Sequence, residues 1–170
     1  AVASRPREGA ARQAIRETWG RAPGARVRVR YFVGEPNRSD GPEVVAALRK
    51  ERAEHSDLVV VEGLMDTYEN LTLKTLKIFE WVHENAEEDY VLKMDTDCYV
   101  RLPQLLRVLA RAPRSKYYMG SVLPYGHFAP FRNGKNKWVI SYEDYPELRW
   151  PPYCFGSGYV LSRDLTGLLA

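Results

Sequence analysis

No stretch of this 170-residue sequence approaches the roughly 20 apolar residues that a membrane-spanning helix needs, and no charged-then-apolar leader opens it. Cysteine is scarce. Cys98 and Cys154 are too few for a disulfide-built domain, and their spacing leaves a mutual disulfide, free thiols or pairing elsewhere all open. Charge of one sign is also missing: 25 basic residues face 22 acidic ones, a formal +3. That is far from the dense basic stripe of a nucleic-acid binder, so no nucleic-acid partner is expected, only a mild preference for anions such as diphosphates. There is no internal repeat and no low-complexity stretch.

What is present points to a folded domain. Apolar residues make up 45% and aromatics 12%, enough for one core at this length. The opening Ala1-Val2-Ala3-Ser4 reads as the tail of a strand already under way, and residues 165–170 as a helix cut short. The expectation is a partial domain, truncated at both ends.

Between those ends, strand-like and helix-like segments alternate. A turn at Pro6 leads into a helix with Ala11, Ile15 and Trp19 on one face, and Gly20 stands where a left-handed cap belongs. Val27, Val29 and Tyr31 alternate with Arg26, Arg28 and Arg30, the period of a strand with one wet face. Pro42 starts a second helix carrying Val45, Leu48 and Arg52, and Leu58-Val59-Val60-Val61 reads as a buried strand. Asn70 is placed to cap a helix from Leu71 to about His83, with Leu71, Thr75, Ile78 and Val82 on its apolar side. Tyr90-Val91-Leu92-Lys93-Met94 supplies a further strand, and Pro103 opens a helix with Leu102, Leu105, Leu106 and Leu109 in one stripe, ended by Pro113. This alternation predicts an α/β fold, a central mostly parallel sheet flanked by helices, in which ligands bind beyond the carboxyl ends of the strands.

Asp95-Thr96-Asp97 directly follows one such strand. Side chains two apart in an extended chain point the same way, so both carboxylates can meet one hard cation. Oxygen ligands without a neighbouring His or Cys favour manganese or magnesium over zinc, and such ions complete their shell with water and substrate phosphates. An isolated Asp-x-Asp is more often a polar turn at a strand end; its surroundings decide.

Those surroundings resemble the β-1,3-galactosyltransferase family, which includes β-1,3-N-acetylgalactosaminyl and N-acetylglucosaminyl enzymes and, more distantly, the fringe proteins. Four separated motifs carry the likeness in the family's order: Arg12-Gln13-Ala14-Ile15-Arg16-Glu17-Thr18-Trp19-Gly20, Asp66-Thr67-Tyr68-Glu69-Asn70-Leu71-Thr72-Leu73-Lys74-Thr75-Leu76, Tyr90 to Asp97, and Trp150-Pro151-Pro152-Tyr153-Cys154-Phe155-Gly156-Ser157-Gly158-Tyr159-Val160-Leu161-Ser162. The resemblance implies the nucleotide-sugar glycosyltransferase A-type fold and a Golgi enzyme whose lumenal domain is held by an amino-terminal anchor absent from these residues. It implies a UDP-sugar donor, a glycoprotein or glycolipid acceptor and inverting transfer, most readily of galactose, with its N-acetylated counterparts as alternatives. A silent sugar- or nucleotide-binding module is the reading from another class.

By the same likeness, manganese (or magnesium) is held by Asp97, while Asp95 lies against the ribose or a water on the metal. Thr96, counted with the donor-binding stretch, faces the other side of the strand. Arg16 is expected to reach UDP oxygens with its guanidinium, whereas Arg12 reads as a solvated helix arginine. Lys74, in the first turns of its helix, is expected near phosphate. Trp150, Tyr153, Gly156, Gly158 and Tyr159 form the expected sugar and acceptor wall, since a pyranose face packs on aromatic rings and glycines let backbone approach a ligand. Cys98 reads as a small hydrophobe under the metal loop. The loop from Tyr125 to Trp138, with His127 and Lys135, has no metal-ligand spacing and receives no catalytic role. Of two acceptor sequons, the one at Asn37 is the expected N-glycosylation site, because capping engages Asn70. The family's catalytic base lies in an acidic motif downstream, past Ala170, and Glu143, Asp144 and Glu147 do not match it. These residues alone are therefore expected to be inactive.

Overall fold

The computed structural model describes residues 1–21, 27–37, 39–123, 129–135 and 137–170. Its centre is a mixed sheet in the order β3-β2-β1-β4-β6-β5. The strands are β1 (Val2–Ser4), β2 (Tyr31–Glu35), β3 (Leu58–Met65), β4 (Tyr90–Asp95), β5 (Tyr118–Leu123) and β6 (Tyr153–Ser162). The first four run parallel, and β6 alone runs against its neighbours β4 and β5. The predicted α/β class and mostly parallel sheet are therefore present.

Two apolar clusters cover the two faces, and strand alternation sorts residues between them. On one side Val2, Tyr31, Val33, Leu58 and Met94 pack with Ile15 of α1 (Gly9–Glu17) and Leu48 of α2 (Pro42–Glu54). On the other, Ala3, Phe32, Val61, Val91 and Leu161 pack with Ile78, Phe79 and Val82 of α3 (Leu71–Asn85), and Leu165 of α5 (Arg163–Leu169) adds to them. Leu102 anchors the start of α4 (Leu102–Leu109).

Several local expectations are corrected. Residues 27–30 precede β2 rather than forming it, and Tyr31 to Gly34 are buried on both faces, so the wet-faced alternation stops where the strand starts. Arg26 and residues 125–128 of the loop containing His127 lie outside the described residues. Gly20 has no left-handed φ; a Cβ there would stand 2.6 Å from Ile15 O, so close chain approach, not handedness, selects glycine. The inward side of α3 carries Lys74, Ile78, Phe79 and Val82, while Leu71 is 41% exposed. Asn70 flanks α3 but makes no side-chain cap; its amide donates to Met65 O at 3.0 Å.

Candidate functional site

The carboxyl edge of the parallel strands gathers the loops after β1, β2, β3 and β4, as the topology requires. Asp95 ends β4, and Thr96 and Asp97 enter a turn closed by Cys98 N donating to Asp95 O at 3.4 Å. A turn thus replaces the extended geometry assumed for Asp97. Both carboxylates stand at the rim: the Asp95 side chain is 41% exposed, and Asp97 is exposed. Asp97 Oδ1 accepts from Cys98 Sγ at 3.5 Å, and Sγ also contacts Ser157 O at 3.2 Å. Burial and the Asp97 carboxylate push the Cys98 thiol pKa up, which disfavours the nucleophilic thiolate. Its packing beside Met94 and Val2 is that of a small hydrophobe. Cys154 is free and buried.

Thr96 does face the other side, where Thr96 Oγ1 donates to Glu8 Oε2 at 2.9 Å. That oxygen also accepts from Arg5 N at 2.9 Å and Ser4 Oγ at 3.2 Å. Glu8, which sequence reasoning passed over, therefore clamps the loop after β1 to the loop after β4. Behind it Arg12 is buried, donating to Ser4 Oγ at 2.7 Å, Arg5 O at 2.6 Å and both oxygens of Glu51 at 2.8 and 2.5 Å. The expectation of a solvated Arg12 is overturned: it is the pin of the β1–α1 loop.

Arg16 is corrected in the opposite sense. α1 runs back along the sheet, so Arg16 lies near the amino-terminal edge, donating two hydrogen bonds to Asp57 (2.9 and 2.7 Å), 2.8 Å from Glu51 and over the Tyr31 ring at 4.7 Å. Burial opposes its charge, but the hydrogen bonds to Asp57 and Glu51 outweigh it and raise its pKa. Its donors are thus spent on helix–sheet packing, away from Asp95 and Asp97. Glu51, for which burial is the opposing influence, is held below its ordinary range by the two arginines.

Lys74 does not present its ammonium to solvent. Nζ is buried, donating to Ser4 O at 2.5 Å and Asp66 Oδ2 at 2.6 Å, and the same Asp66 oxygen accepts from Gly34 N at 2.8 Å. Burial lowers the Lys74 pKa against the pull of Asp66. The pair staples the ends of β1, β2 and β3, so the second motif supplies scaffold directly beneath the rim. Asn37 is half-buried: its Oδ1 accepts from Ser39 N at 2.8 Å, and its amide donates to Asp66 O at 3.3 Å.

β6 brings the stretch from Gly156 to Tyr159 alongside the end of β4. Lys93 pairs with Tyr159 and Met94 with Gly158 across β4 and β6, and Gly156 O accepts from Lys93 Nζ at 2.7 Å. A Cβ at Gly156 would meet open space, so backbone is accessible there. Trp150 stacks on Tyr145 with centroids 4.2 Å apart and meets Tyr153 edge-on at 6.4 Å. Tyr159 departs from expectation, since its ring turns into the sheet face between Phe79 and Tyr118. Burial, with Tyr118 second, pushes its pKa up to about 12.

A groove of about 380 Å³ lies elsewhere, between Trp19 and residues 99–104; the acid pair is reached from open solvent instead. Among the described residues no group of three or more His, Cys, Asp or Glu could enclose a cation. Of the two rim carboxylates, Asp95 is paired with Lys93 at 2.8 Å and Asp97 is exposed; hard cations of the manganese and magnesium type take such oxygens together with water and ligand oxygens.

The Galactosyltransferase family model matches residues 10–170. The chain belongs to the galactosyltransferase family. It is 38% identical over 169 residues to Beta-1,3-galactosyltransferase 5 of Mus musculus, covering 96% of this chain and 53% of that protein. It is 37% identical to UDP-GalNAc:beta-1,3-N-acetylgalactosaminyltransferase 1 of Homo sapiens, covering 96% and 50%, and 33% identical to Beta-1,3-galactosyltransferase 1 of Mus musculus, covering 94% and 49%. The family chain thus spans about half the length of these curated relatives. Within that span lie both rim carboxylates and the strand that carries the wall.

Proposed function

We propose that the protein to which these residues belong transfers a hexose, galactose first, from a UDP-sugar to a glycoprotein or glycolipid glycan in β-1,3 linkage with inversion. The observation that carries this reading is Asp95 and Asp97 standing exposed at the carboxyl edge of parallel strands in a galactosyltransferase-family chain. Manganese, with magnesium as substitute, is the cation proposed at Asp97, and bound there it neutralises charge that builds on departing UDP. Asp95 accepts hydrogen bonds beside it from the donor. Glu8 and Thr96 hold the loop, and Trp150 and Tyr153 offer ring faces to a pyranose. The base that takes the acceptor hydroxyl's proton is assigned to an acid beyond Ala170. The proposed setting is the Golgi lumen, reached through an anchor outside these residues, with Asn37 as the proposed N-glycosylation acceptor.

N-acetylgalactosamine is the second donor reading, because the 38% and 37% relatives differ in that sugar. Calorimetric titration of UDP into the chain with and without manganese tests the site. Asp97→Ala is expected to abolish the manganese-dependent part, and unchanged affinity refutes the assignment. Transfer by the full-length protein from UDP-galactose against UDP-N-acetylgalactosamine separates the donors, and no transfer from any UDP-hexose favours a silent binding module.

A further inference from the structure

Lys93 lies two residues before Asp95 on the same face of β4 and is 4% exposed. Its Nζ donates to Asp95 Oδ1 at 2.8 Å and to Gly156 O at 2.7 Å, and it sits 5.9 Å from the Tyr159 ring centroid. A buried ammonium is costly unless it is paired and hydrogen-bonded, and these contacts satisfy it. The converse matters more for function. One oxygen of Asp95 is turned inward and its charge is compensated, while Asp97 has no cation beside it among the described residues, only the Cys98 thiol.

We propose that Lys93 is a positioning residue that withholds Asp95 from direct cation coordination, leaving that role to Asp97, and that fastens the acid loop to the backbone of β6 at Gly156. The proposal rests on the reading that a divalent cation binds this loop. A fixed positive charge repels a second cation, whereas the second oxygen of Asp95 can still accept a hydroxyl hydrogen. Lys93 thereby divides two neighbouring acids into one ligand and one hydrogen-bond acceptor. By bonding Gly156 O, it also sets where the accessible backbone of the wall stands relative to them.

The test is manganese affinity of the chain, read from the electron paramagnetic resonance of the free ion, with circular dichroism as the folding check. Lys93→Met keeps the bulk and removes the charge, and is expected to bind manganese on the order of tenfold more tightly, because a like charge is lost and Asp95 is released. Lys93→Arg keeps the charge and should stay within about threefold of the wild type. A lysine needed only for packing gives the opposite sign, so equal or weaker binding by a folded Lys93→Met overturns the proposal. If that variant does not fold, Lys93→Gln is read in the same way, tighter binding supporting the proposal and equal or weaker binding overturning it. Equal losses of at least about tenfold in Asp95→Asn and Asp97→Asn also overturn it, because Asp95 is then a ligand. Unchanged affinity in Asp97→Asn removes the cation reading itself, and the proposal with it, a result distinct from failure at Lys93.

Discussion

Replacing Arg12 by lysine keeps the charge and removes the planar fork, which isolates what the geometry contributes. Arg12 engages both Glu51 oxygens at 2.8 and 2.5 Å, Ser4 Oγ at 2.7 Å and Arg5 O at 2.6 Å, from a position 1% exposed. An ammonium can retain Glu51 and one further acceptor. Two bonds from a charged donor are then lost in a buried site, each worth about 1.5–3 kcal/mol, so the loss is about 3 kcal/mol or more. Against a total of about 5–15 kcal/mol that is a large fraction, and at this chain length it lowers Tm by about 6–12 °C. Urea unfolding of the chain followed by circular dichroism reads it, with the slope unchanged. Faster amide exchange at Arg5 and Glu8 locates the effect in the β1–α1 loop. A change within about 0.5 kcal/mol of wild type, the range of ordinary surface substitutions, refutes the reasoning.

Two further outcomes are expected. A Cβ at Gly120 would stand 2.8 Å from Cys154 Cβ and 2.9 Å from its Sγ, so Gly120→Ala should cost about 1–3 kcal/mol in urea unfolding; no cost contradicts the close packing of β5 on β6. The Tyr31 hydroxyl is buried without a hydrogen-bond partner among the described residues, so Tyr31→Phe should leave stability unchanged or raise it by about 1 kcal/mol. Burial pushes Tyr31 and Tyr159 up to about 12 from 10.0. The fold holds both phenols neutral, so stability is at its full value below 10.0 and falls as pH rises toward 12, where the unfolded chain ionises first. Urea midpoints across that window should fall, less steeply in Tyr31→Phe, and identical slopes count against it.

The order of elements up to α4 was legible because prolines at helix starts and apolar periodicity are local signals, as Pro42 and Pro103 illustrate. β5 and β6 were not, since Gly120, Gly156 and Gly158 make them resemble loops; their glycines instead accept close backbone packing or lie open beside the acids. At the site, the exposed acids after β4 followed from chain order. The roles of Arg12, Arg16 and Lys74 did not, because their partners Glu51, Asp57, Ser4 and Asp66 arrive through the fold from as far as 70 positions away. Helical spacing marks which residues share a stripe but not that a cation on the inward stripe will find an acid there. Glu8 was overlooked because a lone glutamate before a helix looks like an ordinary first-turn acid, and only Thr96, 88 positions on, gives it a task.

The strand order also sets a timetable for synthesis. β1 is flanked by β2 and β4, and Val2 pairs with Met94. A ribosome adding about 5–20 residues per second leaves the β4 side of β1 unpaired for roughly 5–18 seconds after Val2 is made. Until then its apolar residues line an open edge of an unfinished sheet, the kind of edge that recruits other chains. Nascent chains released before β4 should therefore aggregate or be held by chaperones, and those released between β4 and β6 should expose the edge of β4 instead.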